Sequence, residues 1–84
     1  MAETNTADEF VRNFEIAVEG IVPSSLNPDV EFTTLDEWDS LAALSVLAMV
    51  DAEYEAEISG NELRKCKTLR DLFNVVQSKK AAVT

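Results

Sequence analysis

A serine preceded by an acid, Asp39-Ser40-Leu41, stands where a polar stretch gives way to the most apolar segment of the chain; from Leu41 to Val50 only Ser45 is not apolar. A run of that kind, followed by Asp51, Glu53, Glu55 and Glu57, predicts a helix with an acidic far end. Ser40 then falls in its first turn, where the backbone amide hydrogens lack intrahelical partners and the helix dipole is positive. A phosphate on the Ser40 hydroxyl is favoured there over one on a mid-helix serine. Nucleophilic catalysis by the same hydroxyl would need a base, and the chain has no histidine, no Gly-x-Ser-x-Gly elbow and no Ser-x-x-Lys pair. The residues point to a phosphoester on Ser40 rather than to catalysis by it.

The remaining candidate constellations are weaker. Asp39 suits a helix N-cap, worth about 1 kcal/mol. Asp51 to Glu62 places acids at positions one, three, five, seven and twelve of a calcium loop, but Ala56 stands where the loop needs glycine. Those acids read as the lining of a helix end, so no metal site is assigned. Cys66 is the single cysteine, which excludes an intramolecular disulfide and a cysteine metal cluster; between Lys65 and Lys67 it is open to reading as a buried structural thiol or as a reactive one.

The elements that must position Ser40 follow from caps and periodicity. Met1 to Asn5 show no pattern and are read as a frayed start. Thr6-Ala7-Asp8-Glu9 is a capping box that opens a first helix. Phe10, Phe14, Ala17 and Ile21, with Val11 and Val18, form its core stripe, while Arg12, Asn13, Glu15 and Glu19 take the other side. Gly20 is a stop signal, and Pro23 prevents continuation beyond Val22. From Pro23 to Asp39 runs a connection long enough to suggest either a functional loop or a missed short helix, anchored by Leu26, Val30, Phe32 and Leu35, with Trp38 packed on the domain.

The second helix is predicted from Ser40 to about Tyr54. Its inward face is read as Leu44, Leu47, Val50 or Asp51, Tyr54 and Ile58, flanked by Leu41 and Ala48, which leaves Val46 and Met49 at its margin or outside, either as a strip for transient partners or covered by a core that surrounds the helix on several sides. Ser59-Gly60-Asn61-Glu62 is a second capping box for a short helix through Lys65. Thr68 caps a last helix with Leu69, Leu72, Phe73 and Val76 on one face and Lys79 and Lys80 near its end, and Ala81 to Thr84 fray. The fold class is all-α: a small four-helix bundle of three longer helices and one short one, with a long first loop. One domain spans 1–84, with an ordered core of about 6–80.

A chain of 84 residues with 46% hydrophobic residues holds one modest core, and its two glycines and two prolines fit long helices with few sharp turns. Charge is divided along it. Residues 13 to 63 carry twelve acids and no base, whereas residues 64 to 80 carry six bases against Asp71, within a formal net charge of -9. So negative a central half disfavours nucleic acid and anionic membrane and favours basic patches on other proteins. There is no apolar stretch long enough to span a membrane and no secretory signal, and the chain reads as a cytoplasmic monomer beginning at its own Met1.

The tetrapeptide Trp38-Asp39-Ser40-Leu41 resembles the attachment site of acyl carrier proteins, in which an Asp-Ser-Leu triplet opens the second helix of a small bundle. The resemblance extends to the loop Asn27-Pro28-Asp29-Val30-Glu31-Phe32, the helix from Leu41 to about Glu55, the pair Glu57-Ile58 and the segment Thr68-Leu69-Arg70-Asp71-Leu72. It implies that Ser40, flanked by Asp39 and Leu41, carries a covalent 4'-phosphopantetheine installed by a phosphopantetheinyl transferase. Acyl intermediates of fatty-acid or related biosynthesis would ride on that arm as thioesters to acyl-loading, condensing and tailoring enzymes, which would dock on Val46, Met49, Asp51 and Glu55 through basic patches. It also implies no catalysis by this chain. Aminoacyl and peptidyl carriers share the plan but are typically less acidic. The pattern departs at Glu37, where the family often has glycine, and at Ala42, Ala43 and Ser45, where many fatty-acid carriers place acids. The alternative is an acidic helical adaptor without a prosthetic group.

Overall fold

The computed structural model describes residues 6–81, with side chains through Lys79; the fraying expected at 1–5 and 82–84 lies outside the described residues, while Ala81, also expected to fray, is the last residue of the final helix. Thr6 opens α1 (Ala7–Ala17) by accepting the Glu9 amide at 3.1 Å, so one half of the expected capping box forms. A single 3₁₀ turn, Phe32–Thr34, supplies the short helix that the length of the connection allowed for. Then come α2 (Ser40–Tyr54), α3 (Gly60–Lys65) and α4 (Leu69–Ala81). The box at Ser59 is complete, with Ser59 Oγ accepting the Glu62 amide at 3.1 Å and Glu62 Oε1 accepting the Ser59 amide at 2.9 Å. Three longer helices and one short helix pack as expected, with α2 against each of the other three.

The first helix ends earlier than its stripe suggested. Val18 turns extended, φ -99° and ψ 115°, and buries its side chain, while Gly20 takes φ +97°. A Cβ at Gly20 would stand 3.2 Å from Cγ of Glu37, so this turn and the residue three before Ser40 depend on its absence. Phe10, Val11 and Phe14 lie in the core as predicted, whereas Ile21 is half-buried in the loop and Ile16 is exposed on the polar side.

Glu15 corrects the polar-face assignment. It is buried, and its two carboxylate oxygens accept the amides of Ser24 at 2.8 Å and Leu26 at 2.9 Å. Arg12 supports the arrangement, 3.4 Å from the same carboxylate and donating to the Leu26 carbonyl at 2.8 Å. Buried polar groups require partners. Here the loop's own amides supply them, and the carboxylate draws the chain back over α1. The far end of the loop is tied to α4: the Leu69 amide donates to the Val30 carbonyl at 3.1 Å, and that of Arg70 to the Pro28 carbonyl at 2.8 Å.

The far half of the predicted inward face holds, with Val50, Tyr54 and Ile58 buried, but the first half of α2 is rotated from the predicted one. Ala42, Val46, Val50 and Tyr54 are buried, Leu47 is half-buried, and Leu41 and Leu44 are exposed. With apolar residues all round the helix, sequence spacing had no polar side to orient it. The surrounding helices select the i, i+4, i+8, i+12 row instead. The acids after Asp51 lie along the end of α2 and its cap, since the helix runs through Tyr54 and Glu55 caps it with a left-handed backbone, φ 51°. No helix among the described residues is long and apolar enough to cross a membrane.

Candidate functional site

Ser40 is the first residue of α2, and its position is set from both sides. Asp39 precedes it in extended conformation, and Asp39 Oδ1 accepts the Ala42 amide at 2.8 Å while the Asp39 carbonyl accepts the Ala43 amide at 2.9 Å. Side-chain capping satisfies one of the orphan donors of the first turn. Trp38 is held by aromatic packing, stacked on Phe14 with centroids 5.9 Å apart and edge-on to Phe32 at 4.9 Å. Phe32 is fully buried on the 3₁₀ turn and meets Phe14 edge-on at 5.7 Å. The approach to the serine is thus anchored on α1 through three aromatic rings.

Above this base Ser40 is exposed, as is Asp39. The apolar neighbours also face outward: Leu41 is 67% and Leu44 64% exposed. Leu41 had been read as a flank of the inward face and Leu44 as part of that face, and neither is buried. Asp51 and Glu55 are exposed further along the same helix and its cap. Val46, expected at the outer margin as a partner residue, is instead fully buried, and Met49 is half-buried against the core. The exposed apolar strip on α2 is Leu41 and Leu44, not Val46.

A cleft of about 560 Å³ adjoins Ser40. Trp38, Asp39, Ser40, Ala43, Leu44 and Leu47 line it, together with Leu63 and Arg64 of α3 and with Thr33 and Gly60. That volume falls in the range of small-molecule sites, about 300–1,000 Å³. Sequence reading missed Arg64 as a cleft residue, because nothing in its spacing says which side of a six-residue helix faces α2.

The buried titratable groups are structural. Cys66 is buried with its thiol donating to the Glu62 carbonyl at 3.4 Å; burial, with the nearby charges of Asp71 and Glu62, pushes its pKa up and keeps it protonated and unreactive. Tyr54 is raised likewise by burial, and Asn13 donates to its hydroxyl at 3.0 Å. Among the described residues no three side chains of metal-ligating type converge.

A family model described as a phosphopantetheine attachment site matches residues 9–76. The chain is also similar to a holo acyl carrier protein from Geobacter metallireducens, solved by solution NMR, with a TM-score of 0.74 and 25% identity over 92% of this chain and 87% of that one. No match was found among curated protein sequences. The matched residues contain the whole site from Trp38 to Arg64.

Proposed function

This chain belongs to the phosphopantetheine-attachment-site family, and from that premise we propose that Ser40 is the residue that carries its 4'-phosphopantetheine arm. The observation that supports this most directly is an exposed serine at the tip of a 15-residue helix, fixed from below by the Trp38 stack and bordered by a cleft. The positive end of the helix favours the phosphodiester at that oxygen. Once attached, the arm supplies a terminal thiol that holds an acyl group as a thioester. The chain itself is a non-catalytic acyl carrier: it presents the hydroxyl for modification, keeps the first turn of α2 rigid, and offers a surface to the enzymes that act on the cargo.

Asp39 has two duties in this account. Its Oδ1 caps α2, and its exposed carboxylate is a point of recognition for the phosphopantetheinyl transferase. Partner enzymes of fatty-acid or related biosynthesis, in the cytoplasm, dock on Leu41 and Leu44 with Asp51 and Glu55 around them, and Met49 lies at the margin of that face. Exposed acids steer basic patches during encounter, so these complexes form fast and weaken with salt. The acids missing at Ala42, Ala43 and Ser45 leave the first two turns after the serine uncharged, which favours partners specialised for this chain.

Intact mass after incubation with coenzyme A and a promiscuous phosphopantetheinyl transferase tests the proposal. Gain of one phosphopantetheine by the wild type and none by Ser40→Ala is expected. Equal gain by Ser40→Ala would move the arm to another residue, and no gain by either would favour the adaptor reading.

A further inference from the structure

We infer that Arg64 is a specificity-determining residue for cargo, placed to pair with a carboxylate on the acyl group, so that the carrier favours carboxylated cargo over plain hydrocarbon chains. This rests on the reading that Ser40 carries the arm. Most of the cleft beside Ser40 is apolar, with Leu44, Leu47 and Leu63 in its walls, and among the described residues Arg64 is the one basic side chain that lines it and Asp39 the one acidic side chain.

Three features make that guanidinium available. Arg12, Arg70 and Lys79 each have a carboxylate within ion-pair distance, whereas among the described residues Arg64 has none. Its one hydrogen bond is to a neutral acceptor: Nη2 donates to Asn61 Oδ1 at 2.6 Å, which orients the group without neutralising it. Nη1 lies 3.9 Å from where a Cβ on Gly60 would stand, so the side chain folds back along α3 over a residue that has no side chain and itself lines the cleft.

The consequence is selective. Arg64 is exposed, and a hydrocarbon chain lying in the cleft offers its guanidinium no partner. A carboxylate offers two acceptor oxygens that match the planar guanidinium fork, the stronger class of hydrogen bond. The phosphate of the arm and the Asp39 carboxylate are the other anionic oxygen groups of the same cleft, and both are present in the unloaded holo form, which separates them from the cargo.

The test uses the full chain loaded by a promiscuous transferase from coenzyme A, octanoyl-coenzyme A and adipoyl-coenzyme A, with intact mass confirming each product. The Arg64 Nε–H resonance and the thermal midpoint are then compared. The inference predicts a resonance shift in the adipoyl form, absent from the holo and octanoyl forms, and a midpoint about 4 °C or more above that of the octanoyl form. In Arg64→Leu the midpoint difference should vanish, and Arg64→Lys should restore part of it. A resonance indifferent to the carboxylate, or one already shifted to the same extent in the holo form, would overturn the inference. The wild-type resonance decides even if Arg64→Leu folds poorly. Failure to load at all shows in the mass and counts against the Ser40 reading, which this inference would then share.

Discussion

The indole of Trp38 stacks on the ring of Phe14, with centroids 5.9 Å apart and planes 16° from parallel, which ties the residue two before Ser40 to the first helix. Aromatic pairs of this kind add to simple area burial. Trp38→Ala is therefore expected to cost about 2 kcal/mol in urea denaturation, less than a fully buried aromatic because the side chain is only half-buried. The same variant should lower the kcat/KM of the transferase, since the approach to Ser40 loses its base. Trp38→Phe should recover most of both.

Glu15 holds the start of the first loop through the Ser24 and Leu26 amides. Glu15→Ala leaves two amide donors without their acceptor and Arg12 without its ion-pair partner, and is expected to destabilise by about 2–3 kcal/mol. Hydrogen exchange at Ser24 and Leu26 should accelerate. Glu15→Gln, which keeps one oxygen acceptor, should fall between the two proteins. Unchanged exchange at both amides would show that the loop is held elsewhere.

Glu55 caps α2 in the left-handed region at φ 51°, a conformation that favours glycine. Glu55→Gly is expected to stabilise the fold by about 0.5–1 kcal/mol. Because Glu55 is also an exposed acid on the proposed docking face, the same change should slow association with a basic partner at low salt. A stability gain with no kinetic loss would remove Glu55 from that face.

These residues also show what the sequence made legible. The limits of α2 could be read because Asp39 is a capping residue placed immediately before an apolar run, and both the cap and the run appear in the structure. Which side of α2 faces inward could not be read. Leu41, Ala42, Leu44 and Val46 are all apolar, and only the packing of the other helices decides that the smaller or β-branched residues go in and the two leucines out. Glu15 was illegible for a different reason: its partners are backbone amides of a loop whose path no side-chain pattern encodes. Ser40 was legible because its position depends on local signals, the cap and the tryptophan.

Two carboxylates at the ends of α3 and α4 are expected to contribute an acid limb to stability. Lys79, 2.8 Å away, and the Ser59 amide hold Glu62 below its ordinary pKa, and the amides of Thr68 and Lys67 do the same for Asp71. A pKa depressed by folding adds stability that is present above the ordinary carboxylate range and is lost as pH falls through the folded value. Stability should therefore decline from about pH 5 downward. Glu62→Gln and Asp71→Asn should each flatten that decline in urea titrations at successive pH values; a decline of the same steepness in both variants would assign it to other groups.

Among the serines of the chain, Ser45 is the nearest competitor on α2, one and a half turns beyond Ser40 and half-buried where Ser40 is exposed. Peptide mapping of the transferase-modified protein by tandem mass spectrometry tests the central claim most directly. The account predicts the phosphopantetheine on Ser40 alone; its appearance on Ser45 or any other residue, with Ser40 unmodified, would contradict it.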